Sequence, residues 1–248
     1  MYPYLFNAEW LPSYMVMICV GIVAAFLCCK IVADKTDISY STFKTLCLMF
    51  LTSILIGFAF ARLFQALYNL ISSGSVGTGI TFFGGLIGGV AAFAVMYFIM
   101  RKKVSGSLGE ALRMSAPSIA IAHSFGRIGC FLAGCCYGKK SDSFLSVTFP
   151  YGDGSGVPRI PTQLIEAIFL LVLFAVLLYF ALKKKDTLCA LVYCVGYSVF
   201  RFVIEFFRDD YRGGIDFFLS PSQVISVLVF VAAISYAAYY LIKKRNEP

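Results

Sequence analysis

Seven apolar stretches divide the chain almost from end to end, each near or above the roughly 20 residues that a helix needs to cross a bilayer. They lie at about 13–33, 45–71, 79–100, 109–134, 161–182, 186–207 and 221–242. Of the 248 residues, 60% are apolar and 14% charged, whereas soluble domains carry about a quarter charged residues. A soluble fold of this length could not cover so much apolar surface. The sequence therefore predicts an all-α integral membrane protein, a single polytopic membrane domain over residues 1–248 with seven transmembrane helices. The fourth stretch is the least regular. It holds Glu110, Arg113, Pro117, His123 and Arg127, and is expected to be a broken or partly re-entrant element, which protein or a wet cavity must surround.

The basic residues orient the bundle. Lys30, Lys35 and Lys44, then Arg101, Lys102, Lys103 and Arg113, then Lys183 to Lys185, then Lys243, Lys244 and Arg245 fall on one set of connections. The opposite set has Lys139, Lys140, Arg159, Arg208 and Arg212. The positive-inside rule places the richer set in the cytoplasm, giving an N-out, C-in arrangement in a bacterial plasma (inner) membrane. The net charge of +8 thus reads as an orientation signal, and nucleic acid is not expected as a partner. Residues 1–13 lack a basic start and read as no cleavable signal. Tyr2, Tyr4, Phe6 and Trp10 are expected to form an interfacial arm at the headgroups. The Gly- and Pro-bearing loop near 138–160 is expected outside. No internal repeat of the inverted-transporter kind is visible.

Five ionisable residues are expected in the hydrocarbon core: Arg62, Arg127, Glu166, Arg201 and Glu205. Each costs roughly 2.5–3.5 kcal/mol at mid-membrane on insertion scales and so demands a partner or a function. Tyr197, Arg201, Glu205 and Arg208 are spaced i, i+4, i+8 and i+11, one helical face. Arg201 and Glu205 pair along that face. Either the pair merely neutralises itself while Arg208 snorkels outward, or the stripe binds an anion. Two arginines against one glutamate, and the two-point fork of guanidinium on phosphate, favour the anion. Gly126, Gly129, Gly134 and Gly138 thin the backbone around Arg127, for a headgroup or for another helix. Gly84/Gly88 and Gly85/Gly89 form two overlapping GxxxG patterns, by default a close helix contact. Pro161, Gln163 and Glu166 open the fifth stretch. A lipid phosphate in the outer leaflet is the simplest ligand of that charge and depth.

Nine cysteines are present. Cys19, Cys28, Cys29, Cys47, Cys189 and Cys194 read as small hydrophobes. Cys130, Cys135 and Cys136 cluster, and several readings stay open. Inert packing or a disulfide in an oxidising exterior ranks first, and reactive thiols rank second. A metal site with His123 ranks last, because the spacing matches no familiar zinc pattern. No metal and no cofactor are expected.

In this order, Gly84–Gly88, Gly126–Gly138, Arg159–Glu166, Gly196–Arg208 and Gln223 resemble the motif series of the prolipoprotein diacylglyceryl transferase family: GGLIG, GRxGNFxNxExxG, R-x-PSQLYE, GYxxFRFxxEFFR and a Gln opening the last span. The resemblance covers nearly the whole chain, and the Gly196–Arg208 motif is its most specific part. It implies transfer of a diacylglyceryl group from phosphatidylglycerol to the lipobox cysteine thiol of a prolipoprotein, by a chain expected to be a monomer in the bilayer. It further implies that Arg127 and Arg201 hold the lipid phosphate and that Glu205 and Arg208 orient Arg201 and the cavity mouth. Tyr14, Arg62, Gly84, Gly85, Cys130, Gly138, Gln163, Glu166 and Tyr197 would contact substrate or its neighbours. The chain departs from the pattern at Phe83, where the family has a histidine, at Cys130 for asparagine and at Cys135 for glutamate. His123, the only histidine, is the candidate substitute base. The alternatives are a membrane thiol oxidoreductase using Cys130, Cys135 and Cys136, and a phosphatidylglycerol-binding relative with lost or altered chemistry.

Overall fold

A computed structural model describes residue 4 and residues 11–73, 82–100, 108–150, 155–209 and 219–246. Among these residues there are seven helices: α1 (Ser13–Lys35), α2 (Tyr40–Ser73), α3 (Phe82–Met100), α4 (Leu108–Ala133), α5 (Thr162–Leu182), α6 (Asp186–Glu205) and α7 (Pro221–Asn246). A two-residue hairpin, β1 (Val147–Thr148) with β2 (Pro158–Arg159), lies between α4 and α5. Each helix coincides with one apolar stretch. Five of them, α1, α2, α5, α6 and α7, are long and apolar enough to cross a membrane. Large apolar side chains such as Val23, Leu27, Leu55, Ile168 and Val172 are exposed on these helices, as expected where lipid is the solvent.

The sequence expectation of a broken fourth element is corrected. α4 is one continuous helix with Pro117 inside it. Pro117 is almost fully buried, and Ser118 Oγ and Cys29 Sγ lie 3.1 Å apart beside it. Such polar neighbours are what lets an apolar bundle accommodate a helix-interior proline. Arg113, read only as an orienting charge, is buried and paired with Asp186 at the start of α6, Nη2 to Oδ2 3.0 Å.

The chain packs as two compact units, residues 37–111 and residues 1–36 with 112–248. In the first, α2 and α3 meet through glycine. A Cβ on Gly57 would stand 2.9 Å from the Gly85 carbonyl oxygen, and one on Gly84 2.7 Å from Phe64 Cβ. Backbones this close require the missing side chains. Gly84 and Gly85 therefore sit in a helix seam, and Arg62 lies on α2 with its side chain exposed.

In the second unit, the segment after α4 is held on both sides. Gly138 N donates to Ile160 O at 2.9 Å, and Lys139 N donates to Phe207 O at 2.8 Å. Isolated bridges link Gly138 to Arg208 and Lys140 to Arg159. A Cβ on Gly138 would fall 2.7 Å from Phe207 O and 2.8 Å from Ile160 O, so only glycine fits between these backbones. Of the expected N-terminal arm, Tyr4 bridges Pro12; Tyr2, Phe6 and Trp10 lie outside the described residues, as does the side chain of Phe83.

Candidate active site

Glu166 is the centre of the buried charge. It stands one turn into α5, a helix with no other ionised side chain between Thr162 and Leu182, and it is fully buried. Arg127 Nε of α4 approaches its Oε1 at 3.1 Å. Tyr197 of α6 donates to the same oxygen at 2.9 Å. His123 Nε2, one turn before Arg127, lies 3.7 Å from it. On the other oxygen, Arg201 Nη1 is at 3.9 Å and Arg208 Nη1 at 4.0 Å. The His123 and Tyr197 rings meet edge-on at 5.2 Å, and Tyr193 stacks on Tyr197 at 6.0 Å.

Glu205 forms the second anionic point. It takes Arg201 Nη2 at 2.8 Å and lies 3.9 Å from Arg208 Nε. The expectation of one continuous stripe through Arg208 is corrected here. α6 stops at Glu205, and Arg208 follows a two-residue turn. It reaches the cluster because its backbone is bridged to Gly138. Arg208 is 8% exposed, so it does not snorkel outward.

The cluster holds three guanidinium groups, those of Arg127, Arg201 and Arg208, against two carboxylates. One positive charge is left over in a buried setting. Arg127 Nε and Arg201 Nη1 are buried N–H groups without hydrogen bonds among the described residues, although Glu166 oxygens lie within 3.1–3.9 Å of them. Buried donors in this state cost free energy until an acceptor reaches them. Beside Arg127, a Cβ built on Gly126 meets nothing within 4 Å among the described residues. Surplus positive charge and open space converge on one place. That arrangement receives an oxyanion.

The remaining predicted residues divide into three groups. Gln163, fully buried, donates through Nε2 to Cys135 O at 2.6 Å, and Thr162 Oγ1 donates to Cys136 O at 3.0 Å. These bonds tie the turn after α4 to the start of α5. Tyr14 on α1 packs against α4 at Gly129, where an added Cβ would come 3.2 Å from the Tyr14 ring. Arg62, Gly84 and Gly85 belong to the unit formed by residues 37–111.

Three further contacts escaped the sequence reading. Arg201 Nη2 donates to Ser222 Oγ of α7 at 3.1 Å. Arg159 pairs with Asp209 at 2.7 Å and lies over the Tyr137 ring at 4.4 Å. Gln223 instead caps α7: Ser220 N donates to its Oε1 at 3.0 Å, and Gln223 N donates to Ser220 Oγ at 3.2 Å. Ser-Pro-Ser-Gln is a capping box with proline in its first turn. That signal stood in the sequence, and it would have directed attention to Ser222.

Cys130, Cys135 and Cys136 are free thiols whose sulfurs all lie within 4.8 Å of one another. Hydrogen bonds from Cys130 and Cys135, together with nearby Arg208 and Arg127, hold Cys136 below the ordinary thiol range.

Residues 3–239 match the family model described as prolipoprotein diacylglyceryl transferase. The phosphatidylglycerol–prolipoprotein diacylglyceryl transferase of Clostridium tetani is 31% identical over 230 residues, 90% of each chain. The enzyme of that name from Dehalococcoides mccartyi strain 195 is 31% identical over 251 residues, 94% of this chain and 90% of its own. A phosphatidylglycerol–prolipoprotein diacylglyceryl transferase 2 of Clostridium perfringens is 36% identical over 174 residues, 69% of this chain and 66% of that one. The family model spans nearly the whole chain, and these relatives share about a third of its residues over most of its length: the chain belongs to the prolipoprotein diacylglyceryl transferase family.

Proposed function

We propose that this protein moves the diacylglyceryl group of phosphatidylglycerol onto the lipobox cysteine of a prolipoprotein. The observation that carries this reading is the surplus positive charge at the Glu166 cluster, where Arg127, Arg201 and Arg208 face two carboxylates. In the reaction, the acceptor sulfur attacks the glycerol carbon that bears the phosphate. A thioether bond forms, the carbon–oxygen bond breaks, and its electron pair leaves on the phosphate as glycerol phosphate. Negative charge gathers on the leaving group, where Arg127 and Arg201 stabilise it. Glu205 and Arg208 position Arg201, while Glu166 and Tyr197 hold the cluster together. His123 receives the thiol proton. The relatives' names favour this chemistry over thiol oxidoreduction or lipid binding alone.

The same proposal includes the topology. Residues 1–248 form one polytopic domain with seven spans, the N-terminus outside and the C-terminus in the cytoplasm of a bacterial inner membrane. The arginine cluster then lies in the outer-leaflet half of the bundle, where a secreted precursor presents its cysteine.

The test is a lipidation assay. Purified protein in detergent receives phosphatidylglycerol and a lipobox peptide, and the peptide mass is followed. A gain of one diacylglyceryl unit, absent with Arg201→Ala, is the expected result. No gain while phosphatidylglycerol remains bound would overturn the transfer reading.

A further inference from the structure

The Cys130–Cys136 segment is a helix cap before it is anything else. Gly134, at φ +70°, follows the last residue of α4; its N–H donates to Phe131 O at 3.2 Å, and Cys135 N–H donates to Cys130 O at 3.1 Å. These two bonds define a Schellman motif, whose geometry brings the side chains five residues apart, here Cys130 and Cys135, against each other. In most such caps that contact is hydrophobic. Here it is thiol on thiol. Cys136 then adopts φ +64°, a left-handed conformation that a residue with a Cβ enters only at some cost. It turns the third sulfur onto the first two, and all three lie within 4.8 Å. The Cys-x4-Cys-Cys spacing fits no zinc pattern as a linear motif, but the cap converts it into a three-sulfur face.

We propose that Cys130, Cys135 and Cys136 bind one zinc ion, with a fourth position open to the thiol of the acceptor peptide. Sulfurs sharing a tetrahedral zinc at a Zn–S distance of about 2.3 Å stand about 3.8 Å apart, within a small side-chain rotation of the spacing seen. Three thiolates on a divalent ion leave one negative charge, and the arginine cluster carries one surplus positive charge. The site is also anchored next to the chemistry. The carbonyls of Cys135 and Cys136 are held by Gln163 and Thr162, one turn before Glu166, and Arg127 lies one turn before Cys130 on α4.

The inference rests on the transfer reading and gives its nucleophile an activator. Three protein ligands with a vacancy are the arrangement of catalytic zinc, and a thiol that binds such an ion gives up its proton. The acceptor cysteine coordinates through sulfur and its proton passes to His123. A sulfur lone pair then forms the bond to the glycerol carbon as the carbon–oxygen bond breaks toward phosphate. The thioether product no longer holds zinc as an anion does, and leaves. The ion is neither oxidised nor consumed.

Metal content separates this inference from the transfer reading. The full chain, purified in detergent without chelator, is expected to carry about one zinc per chain by mass spectrometry. Metal-free protein titrated with cobalt(II) is expected to develop thiolate charge-transfer absorption that zinc abolishes. Cys130→Ser/Cys135→Ser/Cys136→Ser should lose at least tenfold of the bound metal, whereas Cys19→Ser/Cys194→Ser should keep it. If the triple variant does not fold, alkylation of the wild-type protein decides instead: zinc should shield three of the nine cysteines. Zinc below a tenth of an equivalent, zinc retained in the folded triple variant, or a disulfide among the three would overturn the site. Full lipidation by metal-free protein would overturn the activating role and leave the transferase reading standing. Zinc bound with no lipidation in any state would overturn the transferase reading and the role together, leaving the site as a metal centre.

Discussion

Arg127 Nε and Glu166 Oε1 stand 3.1 Å apart with the carboxylate wholly buried, and through this contact α4 and α5 share the charge on which the cluster is built. Tyr197 and His123 gather on the same oxygen, and Arg201 and Arg208 face the other. Removing Glu166 would leave three guanidinium groups facing one carboxylate. Breaking a buried pair by deleting one partner costs about 3–5 kcal/mol. Glu166→Ala is therefore expected to lower the thermal midpoint and the yield of inserted protein sharply. Glu166→Gln keeps the shape and the Tyr197 contact and should lose less stability. A midpoint unchanged in Glu166→Ala would show that the carboxylate does not hold the cluster.

The arginines are expected to behave differently. Arg127→Ala and Arg201→Ala each remove a donor aimed at the leaving group, an effect worth about 10²–10³ in turnover for a single oxyanion donor. Membrane insertion should be unaffected, because a buried positive charge is removed. Lysine should not rescue either position, since it has no planar fork to satisfy a carboxylate and a phosphate together. Turnover within threefold of wild type in either alanine variant would remove that residue from the site.

Much of the fold was legible because the bilayer imposes one rule, a helix for every apolar stretch of spanning length. All seven stretches became helices whose ends lie within a few residues of those read from sequence. The break expected in α4 was misread because Pro117 is visible in sequence, whereas the Cys29 thiol that meets Ser118 beside it comes from α1. The site was legible in its ingredients more than in its arrangement. Tyr197, Arg201 and Glu205 share a face by periodicity alone. Arg208 joins them through a backbone bridge to Gly138, seventy residues earlier in sequence, which no local pattern encodes. Glu166 looked peripheral because its five cationic or aromatic partners arrive from two other helices and a turn. The spacing of the three thiols did not show that a helix cap brings their sulfurs within 4.8 Å of one another.

Orientation has its own test. If the cytoplasmic set of lysines governs insertion, a fluorescent protein fused after Pro248 should fold and fluoresce, and alkaline phosphatase at the same place should stay inactive. Replacing Lys183, Lys184 and Lys185 with glutamine should weaken that bias. An active phosphatase fusion on the unaltered chain would invert the topology and move the arginine cluster to the wrong leaflet for a secreted acceptor.

Two glycines of the same motif should part company under the same substitution. At Gly138 a methyl group would strike the carbonyl oxygens of Phe207 and Ile160 and the Thr162 methyl at 2.7–2.8 Å. Backbone carbonyls in hydrogen bonds have little room to yield, so Gly138→Ala is expected to cost about 1–3 kcal/mol, the range for forced overpacking. It should also displace Arg208, whose bridge to residue 138 would open. At Gly126 a methyl group meets nothing within 4 Å, and alanine is the better helix former by roughly 0.5–1 kcal/mol. Gly126→Ala should therefore hold or raise the thermal midpoint. If the space beside Arg127 receives the lipid headgroup, the same change should lower phosphatidylglycerol turnover at undiminished stability. Thermal unfolding and the lipidation assay, run on both variants, check the pair. Equal stability losses would mean that Gly126 is packed against a neighbour, and unchanged turnover in Gly126→Ala would place the headgroup elsewhere.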